Sequence, residues 1–337
     1  MLTEKRSTGF GAALIIFAVL LRLILGITDP AVDALSQPAT ETAAGGFLRE
    51  TMGALHPNAT TAPASPPATQ IQPTEPEPEQ PQPWVFSAGD MAYVRVQYAA
   101  DCPHRPNLEN LLLKTLPWDL TGEEPTVLII HTHASESYTR QPGQNYTESA
   151  AYRTLDEAYN MVAVGDYLAR LLTEAGICVV HDRQIHDYPS YNASYSNSRD
   201  VAREYITRYP TIQVVLDLHR DAAENPDGSQ YATACQVDGK TVAQLMLVVG
   251  TNASGNYHPA WQENLAAAVK LQALLEQIAP GITRQTVLRA QRFNHDLSPG
   301  AMIVEVGTAG NSLSEAMGAI PILAQALAQL IHGAMGQ

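Results

Sequence analysis

Three short polar clusters stand at the ends of apolar runs in this sequence. They are His131-Thr132-His133 with Glu136 after VLII, Asp217 and His219-Arg220-Asp221 closing VVLDLHRD, and Glu305 inside MIVEVG. Neutral imidazole and carboxylate are the common ligands of catalytic zinc, which takes three protein ligands and leaves a fourth position for water. His133, Glu136 and His219 make such a His, Glu, His set, in which the His-x-x-Glu spacing lets one loop offer two ligands while the third arrives from a distant strand. A carboxylate interrupting an apolar strand costs on the order of several kcal/mol unless it is paired, faces a metal, or sits at an exposed end. Glu305 is therefore the expected general base, taking a proton from water and passing it to a leaving amine. Arg220 is suited either to stabilising a developing oxyanion or to pairing with Asp221.

Other polar groups lie on the expected substrate side. The stretch HDYPSYNASYSNSR opens with His186 and Asp187 and carries Tyr191, and it reads as the lining of a groove for a glycopeptide or as a solvated connection. His295 and Asp296 in FNHDLSPG are a substrate-side or supporting pair, and Asp221 is placed with them. His181 precedes the tyrosine-rich stretch, while His258, before Pro259 and Trp261, reads as a packing residue.

The elements that must position these groups follow from periodicity. Beyond Glu124, apolar strands alternate with helical spacing, which predicts an α/β fold with a mostly parallel twisted sheet flanked by helices. TVLIIHTH, ICVVHD, IQVVLDLHR and AMIVEVG read as strands, and helices are expected over Leu155 to Ala175, Ser198 to Tyr209, Pro259 to Ile278 and Ser312 to His332. A hairpin is expected to turn at Asp238 and Gly239. In such sheets the working residues collect at the carboxyl ends of the strands, where all three clusters fall.

Ahead of this domain, expected over 125–337, the sequence divides into four parts. Residues 1–8 form a cytoplasmic N-terminus, and 9–28 hold an apolar run long enough to cross a bilayer as a helix. Lys5 and Arg6 before it put the N-terminus inside and the bulk of the chain outside, with a cleaved signal peptide as the alternative. Residues 29–83 are a disordered, proline-rich extracytoplasmic linker, in which TAPASPPATQIQPTEPEPEQPQP cannot bury a core. Residues 84–124 are a short extension of the catalytic domain. The net charge of −14 argues against a nucleic-acid partner, which needs clustered Lys and Arg. Three widely spaced cysteines give no disulfide framework, and Cys178 and Cys235, among apolar residues, are expected to be buried thiols.

Taken together, VLIIHTHASESY, HDYPSYNASYSNSR, VVLDLHRDA, HPAWQENL and NHDLSPGAMIVEVG resemble the successive blocks of the stage II sporulation protein P family. The match in order and spacing covers Pro125 to Ala316. The resemblance implies the fold of the zinc-dependent N-acetylmuramoyl-L-alanine amidases, with Zn2+ as cofactor and the amide between muramic acid and the first alanine of the stem peptide as the bond cut. It also implies an endopeptidase activity on the stem, action on septal peptidoglycan in engulfment, and stage II sporulation proteins D and M as partners. Its metal ligands fall on the histidines of HTH and LHRD, so that His131 is the alternative to His133, and its catalytic position falls on Glu305. The amidases take their acidic ligand from the start of the following helix, which makes Asp156 and Glu157 the alternatives to Glu136. A non-catalytic wall-binding or scaffold protein is the rival reading.

Overall fold

The computed structural model describes residues 85–120 and 122–335. The expected cytoplasmic segment, membrane helix and linker lie outside the described residues.

After a 3-10 turn at Ala88–Tyr93 come β1 (Val96–Tyr98), α1 (Leu108–Leu113), β2 (Val127–Ile130), β3 (Glu148–Ala150) and β4 (Arg153–Thr154). The chain continues through α2 (Met161–Glu174), β5 (Val179–His181), α3 (Ser194–Arg208), β6 (Val214–Asp221), β7 (Ala234–Val237), β8 (Lys240–Ala243) and β9 (Leu245–Gly250). It ends with α4 (Trp261–Ile278), β10 (Thr286–Arg289), β11 (Gly300–Thr308) and α5 (Leu313–Met335). Seven strands form one sheet in the order β1-β10-β9-β11-β6-β2-β5, parallel at every pairing except β11 with β9. The expected mostly parallel α/β sheet is therefore present.

The two faces of this sheet have different jobs, because successive side chains along a strand point to opposite sides. Val127 and Ile129, Leu216 and Leu218, Leu247 and Val249, and Val304 and Val306 face one side, where α2, α4 and α5 complete the large core. Leu128 and Ile130 of β2, with Val215 and Ala301, face the other side and pack under Ala202 of α3. Farther along that second face the strands carry Asp217, His219 and Glu305, beside the first turns of α3 and the surrounding loops.

Helix α2 starts at Met161, six residues past the expected Leu155, because Asn160 caps it through Val162 N at 2.9 Å and the preceding residues form the β3–β4 hairpin. Gly176, with φ of 81°, ends it as expected. The expected hairpin is β7–β8, turning through Asp238 (φ 49°) and Gly239 (φ 75°), while LMLVVG goes on into the main sheet as β9. Helix α5 is long and apolar enough to cross a membrane, but 56% of that stretch is buried within the fold, as suits a core helix. Cys102 is buried, whereas Cys178 is exposed and Cys235 half-buried, against the expectation for the last two; all three are free thiols.

The segment before residue 120 is more than an extension. It supplies the edge strand β1 and covers α4, which is buried almost all round. The polar residues of α4 are matched to it one by one. Gln272 accepts from Arg95 N at 2.8 Å and donates to Arg95 O and Arg284 O, each at 3.1 Å. Glu276 pairs with Arg95 at 3.0 Å and accepts from Thr283 N at 2.8 Å. Lys270 Nζ donates to Leu112 O and lies 4.4 Å from the centre of the Phe86 ring. A full chain lacking residues 85–119 should thus fail to fold, which far-UV circular dichroism and solubility would report.

Burial pushes the Lys270 ammonium down from 10.5 to about 8. Its neutral form is favoured in the fold, so the stability it contributes is present above pH 10.5 and lost as pH falls through about 8. Relative to Lys270→Met, the wild type should gain on the order of 3 kcal/mol across that window. Denaturant unfolding over a pH series measures this, and parallel curves for the two proteins would contradict it.

Candidate active site

Strand register brings the acid and one histidine together. β11 and β6 run parallel with Glu305 opposite His219, so both side chains leave the sheet on the α3 side. His133 and Glu136 reach the same place from the turn that follows β2, and both are buried with His219. The His133 and His219 rings meet edge to face with centroids 5.2 Å apart, and His219 Nδ1 lies 3.6 Å from Glu136 Oε2. On its other side, His219 Nε2 lies 2.8 Å from Asp217 Oδ1, close enough for an ion pair but off the line of a hydrogen bond.

The turn carrying His133 and Glu136 pairs by backbone with the segment of the β3–β4 hairpin, Thr154 N donating to Ser135 O at 2.8 Å and Ser137 N to Tyr152 O at 2.9 Å, and side chains hold it as well. Ser135 donates from N and Oγ to Asp187 at 3.1 and 2.6 Å. Arg153 joins Asp187 at 2.5 Å to Glu136 at 3.2 Å. Arg220 donates from Nε to Ser137 O at 3.0 Å and from its guanidinium to Tyr152 O at 2.9 Å, and its backbone N–H donates to Glu136 Oε2 at 3.2 Å. With Nε and one terminal nitrogen on carbonyls and the other, Nη1, 3.7 Å from Glu136 Oε1, Arg220 is a staple of the turn and is not the partner of Asp221 that the sequence suggested. Asp221 pairs instead with Arg284 at 2.7 Å.

Charge is distributed unevenly. Burial alone would raise the Glu136 carboxyl, but Arg220, His219 and His133 outweigh it and hold the group well below the carboxylate range. Burial, only partly offset by Glu136, pushes His133 down to about 4. His219 goes the other way: burial opposes its charge, yet Asp217 and Glu136 hold a proton on it well above the ordinary range. For Glu305 burial dominates: His219 and Arg220 offset it only in part, Asp221 and Glu136 add to it, and the carboxyl is pushed up to about 8. Its residue keeps a partial opening to solvent, while Oε2 is sealed and has no hydrogen-bond partner.

Zinc needs three protein donors that converge on one point. As they stand, no three His, Cys, Asp or Glu side chains among the described residues close on one point as ligands do around an ion. Glu136 is drawn to the two arginines instead. In type and burial, however, the donors fit: His133 Nδ1 is sealed without a partner, and His219 and Glu136 stand beside it.

The alternatives from the sequence fall elsewhere. His131 continues the alternation of Val127 and Ile129 and so points to the opposite face, toward α2. There its Nδ1 lies 3.1 Å from Leu218 O and its Nε2 2.8 Å from His181 Nε2. A Cβ on Gly165 of α2 would come within 2.5 Å of both Nε2 atoms, so glycine lets the helix approach the pair. Asp156 is exposed and accepts from Ala158 N, and Glu157 pairs with Arg183 at 2.5 Å. Glu136 is the acid beside the histidines.

Of the substrate-side residues, Tyr191 is at the site, stacked on His133 at 4.5 Å with 51% of its surface exposed and Arg153 lying over it. Asp296 is not: Arg199 grips both its oxygens at 2.7 and 2.6 Å, and Arg292 lies 3.2 Å away. His295 is buried, its Nδ1 accepting from Gly250 N at 2.9 Å. His186 is buried against Asp182 at 2.6 Å, and His258 is buried as expected of a packing residue. Sequence reasoning missed Arg153, whose place depends on the β3–β4 hairpin, and the clamp formed by Asp187.

Comparison with known proteins gives one firm result and several loose ones. The sequence profile described as Stage II sporulation protein P matches residues 59–328. The Stage II sporulation protein P of Bacillus subtilis (strain 168) is 28% identical over 214 residues, 60% of this chain and 50% of that protein, so the match spans about half the relative's length. Among solved structures, the N-acetylmuramoyl-L-alanine amidase AmiC2 of Nostoc punctiforme superposes with a TM-score of 0.37 at 12% identity, covering 62% of this chain and 97% of the other. The N-acetylmuramoyl-L-alanine amidase of Clostridium difficile 630 gives 0.37 at 14% identity, covering 64% and 97%. These superpositions are too loose to bear on the activity. The profile match takes in well over half of the residues, and on that ground the chain belongs to the Stage II sporulation protein P family.

Proposed function

We propose that this protein is a peptidoglycan hydrolase of sporulation, a zinc-dependent N-acetylmuramoyl-L-alanine amidase anchored in the membrane with its catalytic domain outside. The observation that carries the reading is the meeting of His133, Glu136, His219 and the unpaired Glu305 on one face of the sheet. Family membership supports the sporulation context, and stage II sporulation proteins D and M are the partners it suggests.

His133, Glu136 and His219 are the residues that would hold zinc. Bound there, it would supply Lewis acidity to the amide carbonyl and acidify water. The remaining work belongs to the chain. Glu305, with a carboxyl at about 8, has a proton affinity suited to taking a proton from water near neutral pH and handing it to the departing amine. Asp187, Arg153 and Arg220 hold the turn so that His133 and Glu136 stay beside His219. Tyr191, half exposed against His133, offers an aromatic surface to the substrate at the mouth of the site.

Incubating the full-length protein with purified peptidoglycan, with and without a chelator, and identifying the products by mass spectrometry tests this reading. Chelator-sensitive release of intact stem peptides is expected. Fragments cut within the stem would instead assign the endopeptidase, and no release with zinc present would favour the scaffold. Glu305→Gln should lower the rate by about 100-fold or more while zinc content stays unchanged. His133→Ala should lose zinc as measured by elemental analysis, whereas His131→Ala should keep it; the reverse result would put the ligand at His131.

A further inference from the structure

Asp217 has no role in the reading above, yet it is a firmly fixed carboxylate beside His219. It interrupts β6 between Leu216 and Leu218 and is 6% exposed, so its charge needs partners. Oδ1 accepts from Thr132 N at 2.7 Å, and Oδ2 accepts from Thr132 Oγ1 at 2.6 Å. The Thr132 hydroxyl in turn lies 2.8 Å from Ser198 Oγ on α3, and Ser198 Oγ accepts from Asn294 Nδ2 at 3.1 Å. The carboxylate is thus anchored from β2, α3 and the loop before β11. His219 has no comparable anchor. Its Nδ1 stands 3.6 Å from Glu136, and its closest polar neighbour is Asp217 Oδ1, 2.8 Å from Nε2.

We propose that Asp217 is the positioning residue of the candidate metal site: its fixed carboxylate stands 2.8 Å from Nε2 of His219 as a counter-charge, keeps that edge of the ring on the Asp217 side, and leaves Nδ1, on the Glu136 side, as the nitrogen available to an ion. The inference rests on the reading of His219 as a zinc ligand. Carboxylates that hold the far nitrogen of a ligating histidine fix its tautomer and orientation and raise its basicity. Thr132 makes the arrangement more than local. It is the residue before His133, so one carboxylate ties the segment that bears His133 to the strand that bears His219.

Asp217→Asn separates this role from a merely structural one. The amide has the shape of the carboxylate, and Thr132 can turn its hydroxyl to accept from Nδ2 and donate to Ser198, which leaves every group paired. Only the charge at His219 is removed. In the full-length chain, zinc affinity measured by competition with a chromophoric chelator should fall about 10- to 100-fold, with the thermal midpoint of the metal-free protein close to wild type. Equal affinity in the two proteins, with wild type binding zinc, would overturn the role of Asp217 and leave the metal reading standing. A wild type that binds no zinc would overturn both. Should Asp217→Asn not fold, Thr132→Val decides, since it removes the bond to Oδ2 together with the contact to Ser198 and leaves the backbone bond to Oδ1: a loss of about threefold to tenfold supports the role, and unchanged affinity overturns it.

Discussion

Burying a carboxylate is costly unless its charge is compensated, and the arrangement around this site follows from how four of them meet that requirement. Asp187 is satisfied by Ser135 and Arg153, Asp217 by Thr132 and His219, and Glu136 by Arg153, Arg220 and the same imidazole. Glu305 alone of the four is left with an oxygen, Oε2, that has no partner, and burial raises its affinity for a proton to about 8. The difference sorts the acids by surroundings. Three have partners that fix them in place, and the fourth has an oxygen free to face a ligand.

Compensation also explains why the second face of the sheet is built thinly. The first face is chiefly apolar, His131 and His181 meeting each other there, and α2, α4 and α5 bury it. The second needs donors from many directions, which one helix could not supply. It draws them from the turn after β2, the β3–β4 hairpin, α3 and the loop before β11. Short loops meet that need at the price of regular structure.

Much of this was legible in the sequence, and what was not has physical reasons. Apolar runs placed the strands, and polar residues at their ends marked the site, because a buried charge in an apolar run has few explanations. The facing of His131 and His133 was not legible, since it turns on where β2 stops pairing and the chain leaves the sheet. Arg153 was invisible because a two-residue strand has no period to read, and Leu155, 39% exposed in that region, drew the expected helix too far forward. Arg220 sat where a catalytic cation would sit, but the carbonyls of Ser137 and Tyr152 claim its donors, and only tertiary structure brings those carbonyls near. The segment of 85–119 looked peripheral because it is short, whereas α4 carries Lys270, Gln272 and Glu276 that only this segment and the nearby loops satisfy.

The residues of the candidate site fall into two mechanical classes. His219 and Glu305 stand on the central strands β6 and β11, paired in register and unable to move apart without breaking the sheet. His133 and Glu136 stand on a turn whose position depends on Arg153, Arg220 and Asp187. Asp217 and Glu136 favour the charged form of His219. On the proposed reading, a divalent cation there would take over that charge and would share Glu136 with Arg153, so the turn would adjust while the strands stay fixed. Such a division places the adaptable groups on the ligand side and the rigid acid on the side where proton transfer demands a fixed distance.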